Sequence, residues 1–369
     1  MRRRGLSQGE SRSTRSKASS GLRFLRVTQV NLPELAEGLS ALEQAVQGRH
    51  PDPSTWSWRY LENPLGESTT VVAIRDGRVV GRLGGVHLPI VIEGERQVAC
   101  LMEGLSVLPV ERSWECLRGL LAASAEECRG SSVSLFFAFA TRVSAALNRR
   151  LGHTILGPTP IWSGFLDVSQ VLRDRSFPGA LARMGKLAGP LVGVRRGTFS
   201  VAGVETVPVK HFDTQASNLW QSVEPLRGIA VVKDASFLEW RYDRCPGRAY
   251  RRLAAQKGGQ LEGLAVYALS LTRKDGYILE LIARNDNLLV LRQLVAGVLT
   301  DMSSEGVGLV SASFPHGSAA AETLAALGFK TWGTWFWRMQ TIIAGHWFES
   351  GSPASLHRWD FSLGDWLYH

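Results

Sequence analysis

Glu103 belongs to a residue type that can act as a general base. It is a lone carboxylate in the apolar run Cys100-Leu101-Met102-Glu103-Gly104-Leu105, within a stretch, 97–107, that reads as a β-strand. Strand alternation sets Glu103, Leu105 and Val107 on one face. A carboxylate held there is suited to proton transfer; as a plainer alternative it is a solvated or salt-bridged strand residue. Glu280 holds a similar place far downstream. Trp58, Arg59 and Tyr60 form an aromatic and cationic word suited either to lining a groove or to holding the architecture. Ser144, Ser318 and His316 sit at starts of helices, where capping and turn roles explain them. The cysteines Cys100, Cys116, Cys128 and Cys245 form no C-x-x-C pair and have no histidine at metal-ligand spacing, so they read as buried free thiols. No Walker loop, strand-following G-x-G-x-x-G, H-E-x-x-H or G-x-S-x-G is present, which removes the chemistries those motifs carry.

The elements that must position these groups alternate clearly. Residues 22–30 are β-rich. Residues 32–47 carry Leu35, Leu39, Leu42 and Val46 on one helical face, with Pro33 at the start. A short helix is expected over 54–61, with Ser54 as its N-cap. Asp76-Gly77 between two apolar runs is a type I′ hairpin signal, and Glu93-Gly94 marks the next turn. Then follow the strand with Glu103, a helix over 111–128, a buried strand over 133–140, a helix over 143–151 and a last strand over 154–165. The order is β-α-α-β-β-β-α-β-α-β.

That order occurs twice. Trp58-Arg59-Tyr60 and Pro64 recur as Trp240-Arg241-Tyr242 and Pro246, and Leu151-Gly152 recurs as Leu327-Gly328. Two matching words in the same sequence, with similar elements between them, indicate a duplication. The expected organisation is a basic tail over 1–21, one domain over 22–165, a connector over 166–200 with a helix around 180–187, a second domain over 201–345, and an extension over 346–369. Trp332, Trp335 and Trp337 fall on the last expected strand of the second copy, as core, as an inter-domain surface or as a ligand platform.

Length, at 369 residues, suits two domains. The net charge of +9 is misleading as a nucleic-acid signal. Residues 1–26 hold eight basic side chains and one acid, so +7 of it belongs to that stretch. The tail lacks apolar residues to bury and reads as disordered, with contact to an anionic surface as its alternative use. No sequence-specific nucleic-acid binding is expected. No apolar run approaches membrane-spanning length and no signal-peptide core is visible, so a soluble cytoplasmic protein is the expectation.

The element order resembles the GNAT (GCN5-related N-acetyltransferase) fold, and local words agree. Ile74-Arg75-Asp76-Gly77-Arg78-Val79-Val80-Gly81 resembles the hairpin of many GNAT members. Val107-Leu108-Pro109-Val110-Glu111-Arg112 resembles the end of the family's fourth strand, and Leu147 to Gly152 resembles the family's L-Y-x-x-L-G. The Trp-Arg-Tyr word and the closing Trp359 to Trp366 look like those of tandem GNAT-like bacterial proteins. The resemblance covers roughly residues 23–345 and implies an α/β (α+β) chain of two tandem GNAT-like domains, each with a mixed, mostly antiparallel sheet flanked by helices.

It also implies an N-acyltransferase using acetyl-CoA or another acyl-CoA, without a metal, on an amino sugar, a sugar-linked acceptor or another small amine. In that reading Glu103 is the catalytic base. Leu105, Val107, Arg112 and Ser113 meet the cofactor, whose pyrophosphate rests on a helix N-terminus. Trp58, Tyr60 and Asn148 meet the substrate. The sequence departs from the pattern in two places. The family's glycine-rich loop is replaced by Arg112-Ser113-Trp114-Glu115-Cys116-Leu117 in the first copy and Arg284-Asn285-Asp286-Asn287-Leu288-Leu289 in the second. The family's acidic tyrosine is Asn148 in one copy and Leu324 in the other, and asparagine supplies no proton at neutral pH. Two other readings follow from these losses: a non-catalytic GNAT-fold scaffold or binding module, and a Fem-like aminoacyl transferase, which needs no CoA loop.

Overall fold

The computed structural model describes residues 21–48, 52–66, 68–178, 193–195, 197, 199–331, 342–347 and 356–366. The basic tail, the helix expected around 180–187, and Trp332, Trp335 and Trp337 lie outside them. The first half runs β1 (Leu22–Arg26), α1 (Leu32–Gln47), α2 (Pro53–Tyr60), β2 (Val71–Arg75), β3 (Arg78–Ile92), β4 (Glu95–Val107), α3 (Trp114–Gly130), β5 (Val133–Ala140), α4 (Arg142–Arg150) and β6 (Thr154–Pro158). Next come β7 (Trp162–Phe165) and α5 (Val168–Asp174), a helix at the start of the expected connector, ahead of the one expected around 180–187. The second half runs β8 (Glu205–Pro208), α6 (Thr214–Val223), β9 (Ile229–Val231), α7 (Ala235–Leu238), β10 (Arg251–Lys257), β11 (Gln260–Leu269), β12 (Asp275–Ala283), α8 (Leu288–Ser304), β13 (Leu309–Ala312), α9 (Ala319–Ala326), β14 (Lys330–Thr331), β15 (Ile342–Trp347) and β16 (Trp359–Asp360).

Local chemistry explains the joints. Asp76 and Gly77 both take left-handed φ, at 49° and 76°, as the hairpin between β2 and β3 requires. Asp52, not Ser54, caps α2, since its side chain accepts from the Ser54 backbone N–H. Ser113 caps α3 by accepting from Cys116 N, and Asn287 caps α8 by accepting from Leu289 N and Val290 N.

Two sheets result, ordered β1-β2-β3-β4-β5-β15-β6 and β14-β7-β13-β12-β11-β10-β8, with β9 on the first through β3. Neighbours are antiparallel except β4–β5, β12–β13 and β9–β16. The stretch expected to form one strand over 154–165 is broken, and its parts go to different sheets. β6 pairs with β15 in the first sheet, while β7 pairs with β13 and β14 in the second. β15, from beyond the second copy, fills the place between β5 and β6. Borders at 165 and 345 therefore do not coincide with the borders of the sheets. Strand ladders reward any partner of the right edge and register, and a sequence-continuous unit is not required for that.

One apolar core joins the halves. It contains Leu101, Leu135 and Phe137 from the first sheet, Leu219, Leu264 and Val266 from the second half, and Trp359, Phe361 and Trp366 from the C-terminal segment. At its centre the duplicated words meet each other. The rings of Trp58 and Trp240 stack with centroids 5.1 Å apart and planes 21° apart. Trp58 Nε1 donates to Trp240 O at 2.7 Å, and Trp240 Nε1 donates to Trp58 O at 2.9 Å. Separate cores lie between the first sheet and α3, and between the second sheet, α8 and α9.

Candidate functional site

Both sheets split open at the same point. The parallel ladder of β4 and β5 ends at Leu101–Phe137, and that of β12 and β13 ends at Ile278–Ala312. Two residues beyond each last pair stands a buried glutamate, Glu103 or Glu280. Each faces the tyrosine of its own Trp-Arg-Tyr word. A register shift between Arg82 and Gly84 against β4, with Gly104 at φ 60°, breaks the alternation beside Glu103. This corrects the expectation that Glu103, Leu105 and Val107 share a face. Glu103 points with Ala99 and Leu101 toward α2 and the seam, while Leu105 and Val107 pack with Cys116 and Leu120 toward α3.

In the first half Arg59 Nε lies 3.3 Å from Glu103 Oε1. Arg82 Nη1 donates to Tyr60 Oη at 3.2 Å, and Arg82 Nη2 pairs with Glu43 at 2.7 Å. Arg82 is a buried cation inside the apolar run of β3, and its charge among apolar neighbours is the one sequence signal it carries. Burial chiefly, and the neighbouring Glu103 carboxylate after it, push the Tyr60 hydroxyl up to about 12 against the pull of Arg82 and Arg59. An unfolded tyrosine ionises near 10.0, so the unfolded chain sheds this proton first as pH rises. The stabilisation is complete below that value and is lost between about pH 10 and 12, roughly 3 kcal/mol in all. Urea unfolding across this range should show the loss, and Tyr60→Phe should flatten it.

In the second half the equivalent place is closed. Tyr242 Oη donates to Glu280 Oε1 at 2.6 Å, and Lys233 Nζ reaches Glu280 at 3.0 Å and also Asp365. Burial works against the Lys233 ammonium, but Asp365 and Glu280 outweigh it and hold its pKa above the ordinary value. Burial raises Glu280 despite Lys233. The C-terminal turn sits on this pair, since a Cβ at Gly364 would collide with the Tyr242 hydroxyl and the Glu280 carboxylate. Arg241 Nε donates to Gly364 O at 3.0 Å. The cleft left over holds about 40 Å³, room for a few waters. Before α8, Asp286 is held by a two-pronged Arg227 contact at 2.7 Å, and Asp360 joins the same guanidinium. Carboxylates of the chain itself thus gather on Arg227 beside the segment that leads into α8.

The other predicted residues divide. Arg112 and Ser113 lie exposed at the open N-terminal end of α3, with Arg112 Nε donating to Val107 O at 3.2 Å. Trp58 is 1% exposed and spent on the seam, so no groove wall is formed from it. Tyr60 is equally buried and reaches the site only through its hydroxyl. Asn148 donates to Ser144 O at 2.8 Å and pairs with His153 at 2.7 Å, which ties α4 to the following turn. Arg59 belongs to the Trp-Arg-Tyr word, whereas Arg82 and Lys233 are site residues that carry no motif in the sequence.

Comparison with known proteins supports the fold. Residues 29–156 match the family model described as acetyltransferase (GNAT) domain. No curated protein matches the sequence significantly. A GCN5-related N-acetyltransferase from Anabaena variabilis is similar in structure, with TM-score 0.62, 14% identity, and coverage of 89% of this chain and 73% of that one. The N-myristoyltransferase of Saccharomyces cerevisiae, solved with myristoyl-CoA and inhibitors, gives 0.60 at 10% identity, covering 89% and 80%. A tandem GNAT protein from the clavulanic acid biosynthesis pathway gives 0.55 at 18% identity, covering 90% and 100%. Among the described residues no helix is long and apolar enough to cross a membrane. The chain has a GNAT-like fold built from two GNAT-like halves, and the family model's match falls in the first of them.

Proposed function

We propose that this chain is an acyl-CoA-dependent N-acyltransferase with one working site, in the first half. The observation that carries the reading is the contrast between two like glutamates. Both are buried where a parallel ladder ends, but Glu280 lies under the chain's own C-terminal turn and is paired with Lys233, whereas among the described residues no such turn lies on Glu103, which faces Arg59. The first half also keeps Ser113 as the N-cap of α3, with Arg112 exposed beside it. The residues there fit an anionic thioester co-substrate in part: α3 offers its dipole and Arg112 a cation, while Glu115 in the first turn opposes them. Acyl-CoA supplies the activated acyl group when bound. Glu103 accepts the amine proton, and Arg59 and the buried wall around Tyr60 hold the carboxylate in place. Asn148 is tied into its turn, so the departing thiolate leaves without a proton from that position.

The acceptor is a small amine, with an amino sugar or sugar-linked amine as the first class to try. The second half, on this reading, serves as scaffold. In a thermal-shift titration, acetyl-CoA or a longer acyl-CoA at about 100 times its Kd should add about 2.7 kcal/mol of stability. Glu103→Gln should keep that shift and lose about 10²–10⁴-fold in acyl transfer to an amine panel. Glu280→Gln should leave the rate of transfer unchanged. No shift with any acyl-CoA would overturn the proposal and return the chain to the scaffold or aminoacyl-transferase readings.

A further inference from the structure

Behind the candidate site, on the α3 side of the first sheet, three soft or borderline donors converge. His87 on β3 and Cys100 on β4 are direct partners across the antiparallel ladder, so their side chains leave the same face. Cys128, in the last turn of α3, comes down onto them. The donor atoms of His87, Cys100 and Cys128 all lie within 4.8 Å of one another. Both cysteines are fully buried and His87 is 6% exposed. His87 Nε2 is buried and has no hydrogen-bond partner. An imidazole nitrogen in that condition forfeits its solvation without return, and this points to a ligand.

Thr69, just before β2, brings a fourth donor. Its Oγ1 is 3.3 Å from Cys100 Sγ and 3.2 Å from Cys128 Sγ. The edge between an oxygen and a sulfur on a tetrahedral zinc is about 3.6 Å, given the usual bond lengths. The backbone makes room for this grouping. A Cβ at Gly85 would stand 2.5 Å from Thr69 Oγ1 and 2.9 Å from Cys100 Sγ. Apolar residues of the core under α3, among them Val71, Val80, Met102 and Phe136, surround it. A lone ion would be costly there, whereas two thiolates, a neutral imidazole and a divalent cation sum to zero charge.

We propose that His87, Cys100 and Cys128, with the Thr69 hydroxyl, form a closed structural site for a zinc-class divalent cation. Two thiolates and one imidazole suit Zn²⁺ by softness and by number. Binding releases the thiol protons of Cys100 and Cys128 to solvent. The cation would join β3, β4 and the C-terminal end of α3. That links the strand that carries Glu103 to the helix whose other end faces the proposed acyl-donor site. The spacing conceals this, because the two cysteines lie on different elements and the histidine is reached across a ladder. It therefore departs from the reading of these cysteines as free thiols.

The full chain, purified from zinc-supplemented cells without chelator, should carry zinc in an amount equal to the protein. Exchange with Co²⁺ should give thiolate-to-cobalt charge-transfer absorption in the near ultraviolet. Cys100→Ser should lose that absorption, and Cys245→Ser, distant from the site, should keep it. If Cys100→Ser fails to fold, the wild-type chain still decides. A mercurial thiol reagent should release zinc in step with mercaptide formation, read with a chromogenic indicator. A chain that carries no zinc and gives no cobalt–thiolate band overturns the proposal. So does a Cys100–Cys128 disulfide in the freshly isolated protein.

Discussion

Replacing Lys233 with methionine is expected to cost about 3–5 kcal/mol of stability. The ammonium is buried between Glu280 and Asp365 and is also near Ser362, at 3.3 Å. Removing it leaves two carboxylates facing each other out of water. Attraction in a buried pair roughly offsets the cost of burial, so the intact cluster gives little net stability while the broken one gives a large penalty. The triple change Lys233→Met, Glu280→Gln and Asp365→Asn should therefore recover most of the loss. Urea unfolding followed by tryptophan fluorescence would read both. The single variant has a local signature as well: Asp365 belongs to the C-terminal segment, so that segment should become a site of early proteolysis. If the triple variant is no more stable than the single one, charge balance is not what holds this turn down.

Trp58→Ala is expected to cost about 4–6 kcal/mol, a large share of the 5–15 kcal/mol typical of a folded chain. The truncation opens a cavity at the seam, removes a stacked partner, and leaves the Trp240 carbonyl without its indole donor. Trp58→Phe retains a ring but loses the hydrogen bond and part of the indole's packing volume, so a smaller cost of about 2–4 kcal/mol is expected. A double-mutant cycle with Trp240→Ala should give a coupling above about 1 kcal/mol, because the two residues share one interface. Additive effects would show that the reciprocal bonds are not energetically linked.

The sequence made some features plain and concealed others, for physical reasons. Asp76-Gly77 announced its hairpin because left-handed backbone at both turn positions has few residue solutions. The duplication was legible from Trp58-Arg59-Tyr60 and its copy. That the copies touch each other was not, because contact between residues 182 apart leaves no local pattern. Simple alternation fails after Glu103 because Gly104 adopts a left-handed φ and the bulge changes the parity of every residue after it. Lys233 has no local signal, since Asp365, which neutralises it, lies 132 positions later. Loss of the loop glycines is readable in the sequence, and the structure adds that Asp286, in that segment of the second half, pairs with Arg227.

The exchange of β7 and β15 sets an order on how the molecule comes into being. The first sheet lacks the strand between β5 and β6 until residue 347 has been made. The whole second half is translated in between. At roughly 5–20 residues per second, the nascent first half waits on the order of ten seconds with a gap of one strand's width in its sheet. Pairings this remote in sequence are slow to find and leave open edges in the interval. The arrangement that fastens the finished halves together therefore denies the first half independence during synthesis, and makes the ribosome-bound intermediate the stage most in need of protection by chaperones.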